Sequence, residues 1–228
     1  MLSLMVLFAL HAGAAADPPG VQLLQKAQKA MGGAEKLAAI KDTTQTMTVT
    51  LAPPFDGTKI SQTTRTLAPG EIRQEQEGKF GKTVVYSDGS SGHKTSKNGT
   101  TPLAADGIAA ARGVVFRQPF ALMRSDRDPS RTVKAAGANA VEISTSDGQK
   151  VKVEFDPKTG LPLRLLYAVS SNGQPVTRTE TLSDWRDVSG VRFPFRAVQV
   201  DGDKKVLELT VSACKVNTGL TSADLVKP

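Results

Sequence analysis

The sequence predicts a mainly β fold with a smaller helical part: an antiparallel meander whose apolar face is covered by short helices. Three observations lead there. From Thr43 onward, apolar and polar residues alternate with a period of two over most of the chain. Turn segments in the second half carry glycines at 148, 160, 173, 190 and 202, spaced by 12, 13, 17 and 12 residues. That spacing suits strands of about ten residues joined by tight hairpins. Only 21–40 and 103–124 show helical spacing, and a parallel sheet would need a crossover of about a dozen residues after each strand.

Met1–Leu10 is an apolar run followed by small residues. The layout is that of a secretory signal and is too short for a spanning helix, which needs roughly 20 residues. Ala14 and Ala16 satisfy the small-x-small rule, so cleavage is expected after Ala16 and the mature chain at Asp17. The usual basic n-region is missing, since Lys26 is the first Lys or Arg.

Val21, Leu24, Ala27, Ala30 and Met31 form a helical stripe that Gly32-Gly33 breaks, and Ala34–Ile40 resumes as a second short helix. Residues 44–51 alternate threonine with larger side chains, giving a strand with one dry face. Strands follow at Lys59–Leu67, Glu71–Glu77 and Thr83–Ser87, whose polar content predicts edges or exposed faces. Leu103–Arg124 is helical, and Pro119 divides it in two.

After Arg131 the strands return, with turns at 146–148, 156–160, 171–173, 187–190 and 201–203. Val151, Val153 and Phe155 share a face, as do Leu161, Leu163, Leu165 and Tyr167. Val191, Phe193 and Phe195, and Leu207, Leu209 and Val211, alternate with polar or charged neighbours. A meander with one greasy face must close into a barrel or carry helices on it. No composition break divides 17–228, so one domain is expected.

Composition excludes more chemistry than it permits. One Cys precludes a disulfide within the chain, and with two His there are too few ligands for a Cys/His zinc site. No cofactor, metal site or catalytic residue is expected. His93, the one imidazole after cleavage, stands in a Ser-Ser-Gly-His loop without a G-x-S-x-G elbow to present a serine. Cys214 reads as a small packed strand residue. The formal net charge of +7 comes from 29 Lys+Arg against 22 Asp+Glu. The cations are scattered, their longest run is Lys204-Lys205, and the aromatics fall on apolar positions. Nucleic acid is therefore not an expected partner, because single-strand binders expose aromatics for stacking. A loose contact with anionic membrane surfaces fits better.

Several strings carry a family likeness: Ala30-Met31-Gly32-Gly33-Ala34-Glu35-Lys36-Leu37 leading to Ile40-Lys41, Phe155–Pro162, Asp184–Pro194 and Val216–Leu220. Together they resemble periplasmic proteins of the LolA-like, outer-membrane lipoprotein-sorting superfamily. The resemblance implies an open antiparallel half-barrel with short helices over its concave apolar face. It implies lipid or lipoprotein acyl chains as ligands, envelope proteins as partners, and no enzymatic activity. The groove and lid residues expected on that basis are Val115, Phe116, Phe120, Met123, Val153, Phe155, Leu163, Leu165, Tyr167, Phe193, Phe195, Leu207 and Leu209. Two architectures stay open. The concave face either holds a lipid cavity, or it is filled and the chain is an envelope sensory or protein-binding module. Cavity walls and core walls use the same side chains.

Overall fold

The computed structural model describes residues 18–55, 57–79, 81–171 and 174–226. The apolar segment 1–10 and the expected cleavage at Ala16 lie outside the described residues, as does the Asn172-Gly173 turn. The first meander comprises β1 (Asp42–Leu51), β2 (Lys59–Leu67), β3 (Glu71–Gly78), β4 (Gly81–Ser87), β5 (Gly92–Ser96) and β6 (Gly99–Pro102). The second comprises β7 (Arg131–Ala135), β8 (Ala140–Thr145), β9 (Lys150–Phe155), β10 (Pro162–Ser171), β11 (Gln174–Val188), β12 (Val191–Asp201) and β13 (Lys204–Val216). Both belong to one antiparallel sheet in the order β6-β5-β4-β3-β2-β1-β13-β12-β11-β10-β9-β8-β7. Its two ends, β6 and β7, do not meet, so the sheet is an open half-barrel.

The strand order explains the helices. The chain starts in the middle of the sheet and works outward to β6. It must then reach the opposite edge before working back to β13 beside β1, where Met47 faces Val211 and Val49 faces Leu209. A connection from edge to edge has to cross one face. The crossing is made by α3 (Ala105–Phe116), α4 (Pro119–Leu122) and a 3-10 turn at Ser125–Arg127. Pro119 opens α4, where its missing N–H costs nothing and its φ already suits a helix. The break expected at this proline is present.

At the N-terminal end, α1 (Pro19–Ala30) and α2 (Ala34–Ala38) are parted by Gly32-Gly33. Gly32 has φ +118°, and a Cβ there would meet the Gly190 carbonyl oxygen at 2.2 Å. Only glycine lets the turn dock this closely on the β11–β12 hairpin, and the Met31 carbonyl accepts from Arg192 N at 2.9 Å. A further helix, α5 (Ser222–Val226), was not foreseen from the sequence. It lies on the outer face of β3, where Arg73 Nη1 donates to the Leu225 carbonyl at 3.0 Å and Leu225 is fully buried.

The concave face is divided. Under α1 and α4 it is a filled apolar core in which Leu24, Met31, Leu122, Met123, Ile143, Val151, Leu165 and Phe193 are all sealed from solvent. Over β1–β3 it carries polar side chains beside aliphatic ones. The polar residues of β2 and β3 are not on exposed edges, as their composition predicts; both strands are interior, and Gln62 and Thr64 are buried on the concave side. Mutual hydrogen bonding makes that tolerable. Thr43 and Thr66 hydroxyls lie 2.7 Å apart, Gln62 Nε2 donates to Thr64 Oγ1 at 3.0 Å, and Gln76 Nε2 donates to Gln62 Oε1 at 2.7 Å.

Candidate functional site: a groove under the crossing helices

Where the two kinds of surface meet, the concave face holds a groove of about 420 Å³. Its roof is Val114, Arg117, Gln118 and Pro119, the junction of α3 and α4. One strip of its floor is aliphatic: Met47, Val49, Leu51, Ile60, Leu182, Leu207, Leu209 and Val211. The facing strip is amide and hydroxyl: Gln45, Gln62, Thr64, Gln74 and Gln76. This arrangement follows from strand register, since alternate residues of β1, β2 and β13 point inward. A bulge at Ser212, where Thr46 faces Ala213 but Met47 faces Val211, lets both Val211 and Cys214 face inward although three residues apart. Cys214 is half-buried with Gln45 Nε2 3.8 Å from its sulfur, and burial pushes its thiol up to about 11. It is a neutral packed thiol, as its strand position implied.

The groove ends in a cluster of buried polar groups. Arg117, at the end of α3, lies 4.0 Å above the ring of Tyr167 on β10. Tyr167 donates its hydroxyl to Glu180 Oε2 at 3.0 Å, and Gln199 Nε2 donates to the same oxygen at 3.1 Å. Beyond them Arg178 grips Asp201 through two bonds of 2.7 Å. Desolvation raises the Glu180 carboxyl above the ordinary carboxylate range, despite the bond from Tyr167 and the charge of Arg117. Desolvation also lowers Arg117. The stacking of Arg117 on Tyr167 ties the roof to the floor across the groove.

A pH signature follows. Because Glu180 binds its proton more tightly folded than unfolded, stability is lost as pH rises from near 4 through its raised value. Glu180→Gln keeps an acceptor for Tyr167 without the buried charge. The variant should match the parent at pH 4 and exceed it at pH 7 by about 1 kcal/mol, roughly 2–4 °C in Tm. Thermal unfolding of both proteins between pH 4 and 8 checks this.

The thirteen residues predicted to form groove and lid separate into groups. Tyr167, Leu207 and Leu209 line the groove. Phe116, Phe120, Met123, Val153, Phe155, Leu165, Phe193 and Phe195 belong instead to the packed core. The reason is α1, which packs on β7 and β8, together with α4, whose Phe120 meets Phe193 of β12. Val115 and Phe120 border a second pocket on the other side of the α3–α4 junction. Leu163 is half-buried at an irregularity between β9 and β10, where Pro162 faces Phe155 but Arg164 faces Glu154. Sequence reasoning missed Met47 and Val49, on a strand read as having one dry face, and Ile60 and the glutamines of β2 and β3, whose polar content pointed to edges or exposed faces. His93 pairs with Tyr86 across β4–β5 with ring centres 5.3 Å apart, outside the groove.

No family profile and no curated protein sequence matches the chain. Solved structures do. A domain from Vibrio parahaemolyticus assigned to outer-membrane lipoprotein sorting superposes with a TM-score of 0.59 at 12% identity, covering 91% of this chain and 96% of that one. A LolA superfamily protein from Nitrosomonas europaea gives 0.57 at 14%, covering 91% and 97%. The fold is LolA-like. A DUF1329 family protein from Desulfovibrio piger shares it, with a TM-score of 0.59 at 13% identity over 92% and 98% of the two chains. At such identities the likeness is one of fold, and the LolA-like half-barrel is what the described residues have in common with these proteins. Among the described residues no helix is long and apolar enough to cross a membrane, and no group of three or more His, Cys, Asp or Glu could hold a metal ion.

Proposed function

We propose that this chain is a non-enzymatic periplasmic carrier or binder of acyl chains, exported by its first 16 residues and acting as a single domain over 17–228. The observation that carries the reading is the unfilled aliphatic strip from Met47 to Val211 beneath a narrow roof, beside a concave half whose apolar side chains are packed. Its volume lies within the usual range for small-molecule sites, about 300–1,000 Å³. Each methylene buried there gains about 0.8 kcal/mol, so a long acyl chain gains on the order of 10 kcal/mol before ordering costs. Tyr167, Leu207 and Leu209 touch the chain, and the core residues under α1 and α4 hold the roof over it. The likeness to a lipoprotein-sorting domain supports the same reading.

The test is extraction of the natively purified protein with organic solvent and identification of stoichiometric lipid. A fluorescent fatty-acid probe gives the complementary measurement. Leu209→Glu, which sets a carboxylate in the aliphatic strip, should weaken probe binding at least tenfold while moving Tm by only a few degrees, because Leu209 is half-buried at the groove wall. Absence of both lipid and probe binding sinks the carrier reading and favours a protein-binding envelope module.

A further inference from the structure

The crossing segment makes a second concavity on the far side of the α3–α4 junction. This pocket, of about 570 Å³, has an apolar floor that includes Ile40, Val115 and Phe120. Lys41, Arg124, Arg127 and Arg131 line it against a single carboxylate, Asp128. That carboxylate is already engaged: it accepts from Arg131 Nε at 2.9 Å and from the Ser130 backbone and hydroxyl at 3.0 and 2.6 Å. Arg127 pairs with the exposed Glu35 at 2.9 Å.

Two cations remain. Arg124 donates to the Ile40 carbonyl oxygen at 3.3 Å, and Lys41 is anchored through its backbone N–H to Asn217. Neither ammonium nor guanidinium has a carboxylate within 4.0 Å among the described residues. Burial lowers Arg131, against the pull of Asp128, and the neighbouring charge of Arg124 lowers it further. A pocket that holds an unneutralised guanidinium beside another, above a greasy floor, is complementary to an anion carried on an apolar body.

We propose that this pocket is a second ligand site, which takes the phosphate group of an anionic amphiphile, with Lys41 and Arg124 as its principal contacts. It lies next to the groove. Thr64 lines the groove and Thr66 the pocket, two residues apart on β2, while Val114 and Val115 face them from α3. One ligand can therefore place its headgroup in the pocket and its chain beneath the roof. That shared occupancy rests on the carrier reading; recognition of the phosphate does not.

The experiment is calorimetric titration of the full mature chain with three probes: lysophosphatidylglycerol, a monoacylglycerol of the same chain length, and glycerol phosphate. At low salt the lysophospholipid should bind at least tenfold more tightly than the monoacylglycerol, and the difference should shrink as salt screens the cations. In Lys41→Gln/Arg124→Gln the preference should fall to less than twofold with monoacylglycerol affinity unchanged. Lys41→Gln alone, an exposed position bonded only through its backbone, should reduce the preference without disturbing the fold and serves if the double variant unfolds. Equal binding of the two amphiphiles overturns the proposal, as does a preference that survives the substitutions. Glycerol phosphate binding as tightly as the lysophospholipid makes this a free-phosphate site and overturns the amphiphile. Monoacylglycerol binding without charge preference leaves the carrier reading standing and removes this one; no binding of either amphiphile removes both.

Discussion

Asp42→Ala should destabilise the protein by about 3–5 kcal/mol at pH 7, since hydrogen bonds to a charged group contribute about 1.5–3 kcal/mol each. Asp42 is 3% exposed at the start of β1. Its carboxylate accepts from Thr218 N and Oγ1 at 2.8 and 2.9 Å and from Gly219 N and Leu220 N at 3.0 and 3.3 Å. These bonds fasten the turn after β13 to the middle of the sheet, and α5 hangs from that turn. Burial opposes ionisation, but the hydrogen bonds from Thr218, Gly219 and Leu220 outweigh it and hold the carboxyl below its ordinary range. The stabilisation is therefore full above about pH 4 and is lost as pH falls through the lowered folded value. Urea unfolding of parent and variant should show a large gap at pH 7 that narrows toward pH 3. A gap independent of pH would mean that the carboxylate is not what anchors the turn.

The same corner explains why much of the fold was legible. The four strings that carried the family likeness are far apart in sequence, yet three converge on the fourth, 30–41. Arg192 N reaches the Met31 carbonyl, and Gly190 lies against Gly32. A Cβ on Gly160 would lie 3.4 Å from that of Ala30, and Asn217 bonds Lys41 N and the Ala39 carbonyl. Such strings persist as recognisable text because close backbone approach limits what can stand there. They report architecture and carry no information about a ligand.

The groove was less legible for a related reason. Alternation assigns a side chain to a face of the sheet, but not to a filled or an open part of that face. Phe155 and Leu207 have the same pattern in sequence; one is in the core and the other lines the groove. What separates them is the docking of α1 over β7–β8, a tertiary contact with no local signal. The glutamines failed differently. A strand such as β3, written Glu-Ile-Arg-Gln-Glu-Gln-Glu-Gly, reads as wet on both faces. It is interior because Gln62, Gln74 and Gln76 line a groove, while Arg73 and Glu75 pair at 2.9 Å on the outer face beside α5.

Phe193→Ala decides how firmly the filled half of the concave face supports the open half. Phe193 is 1% exposed on β12, with its ring centre 5.9 Å from that of Phe120 on α4. It is therefore one of the contacts through which the sheet holds the second half of the roof, beside the bond from Arg131 of β7 to the Ala121 carbonyl. Truncation removes a large buried side chain and leaves a cavity that the surrounding strands cannot close, at a cost of about 3–5 kcal/mol. For a chain of this size that is roughly 6–20 °C in Tm. Phe193→Leu, which keeps most of the volume, should cost about 1–2 kcal/mol. If the roof depends on this contact, the fatty-acid probe should also leave Phe193→Ala faster than the parent below the melting transition, while Phe193→Leu stays close to the parent. A loss of less than about 1 kcal/mol in Phe193→Ala would mean that the site relaxes freely. In that case α4 would not be held by the core, and the boundary between packed core and open groove would lie elsewhere than at the Phe120–Phe193 contact.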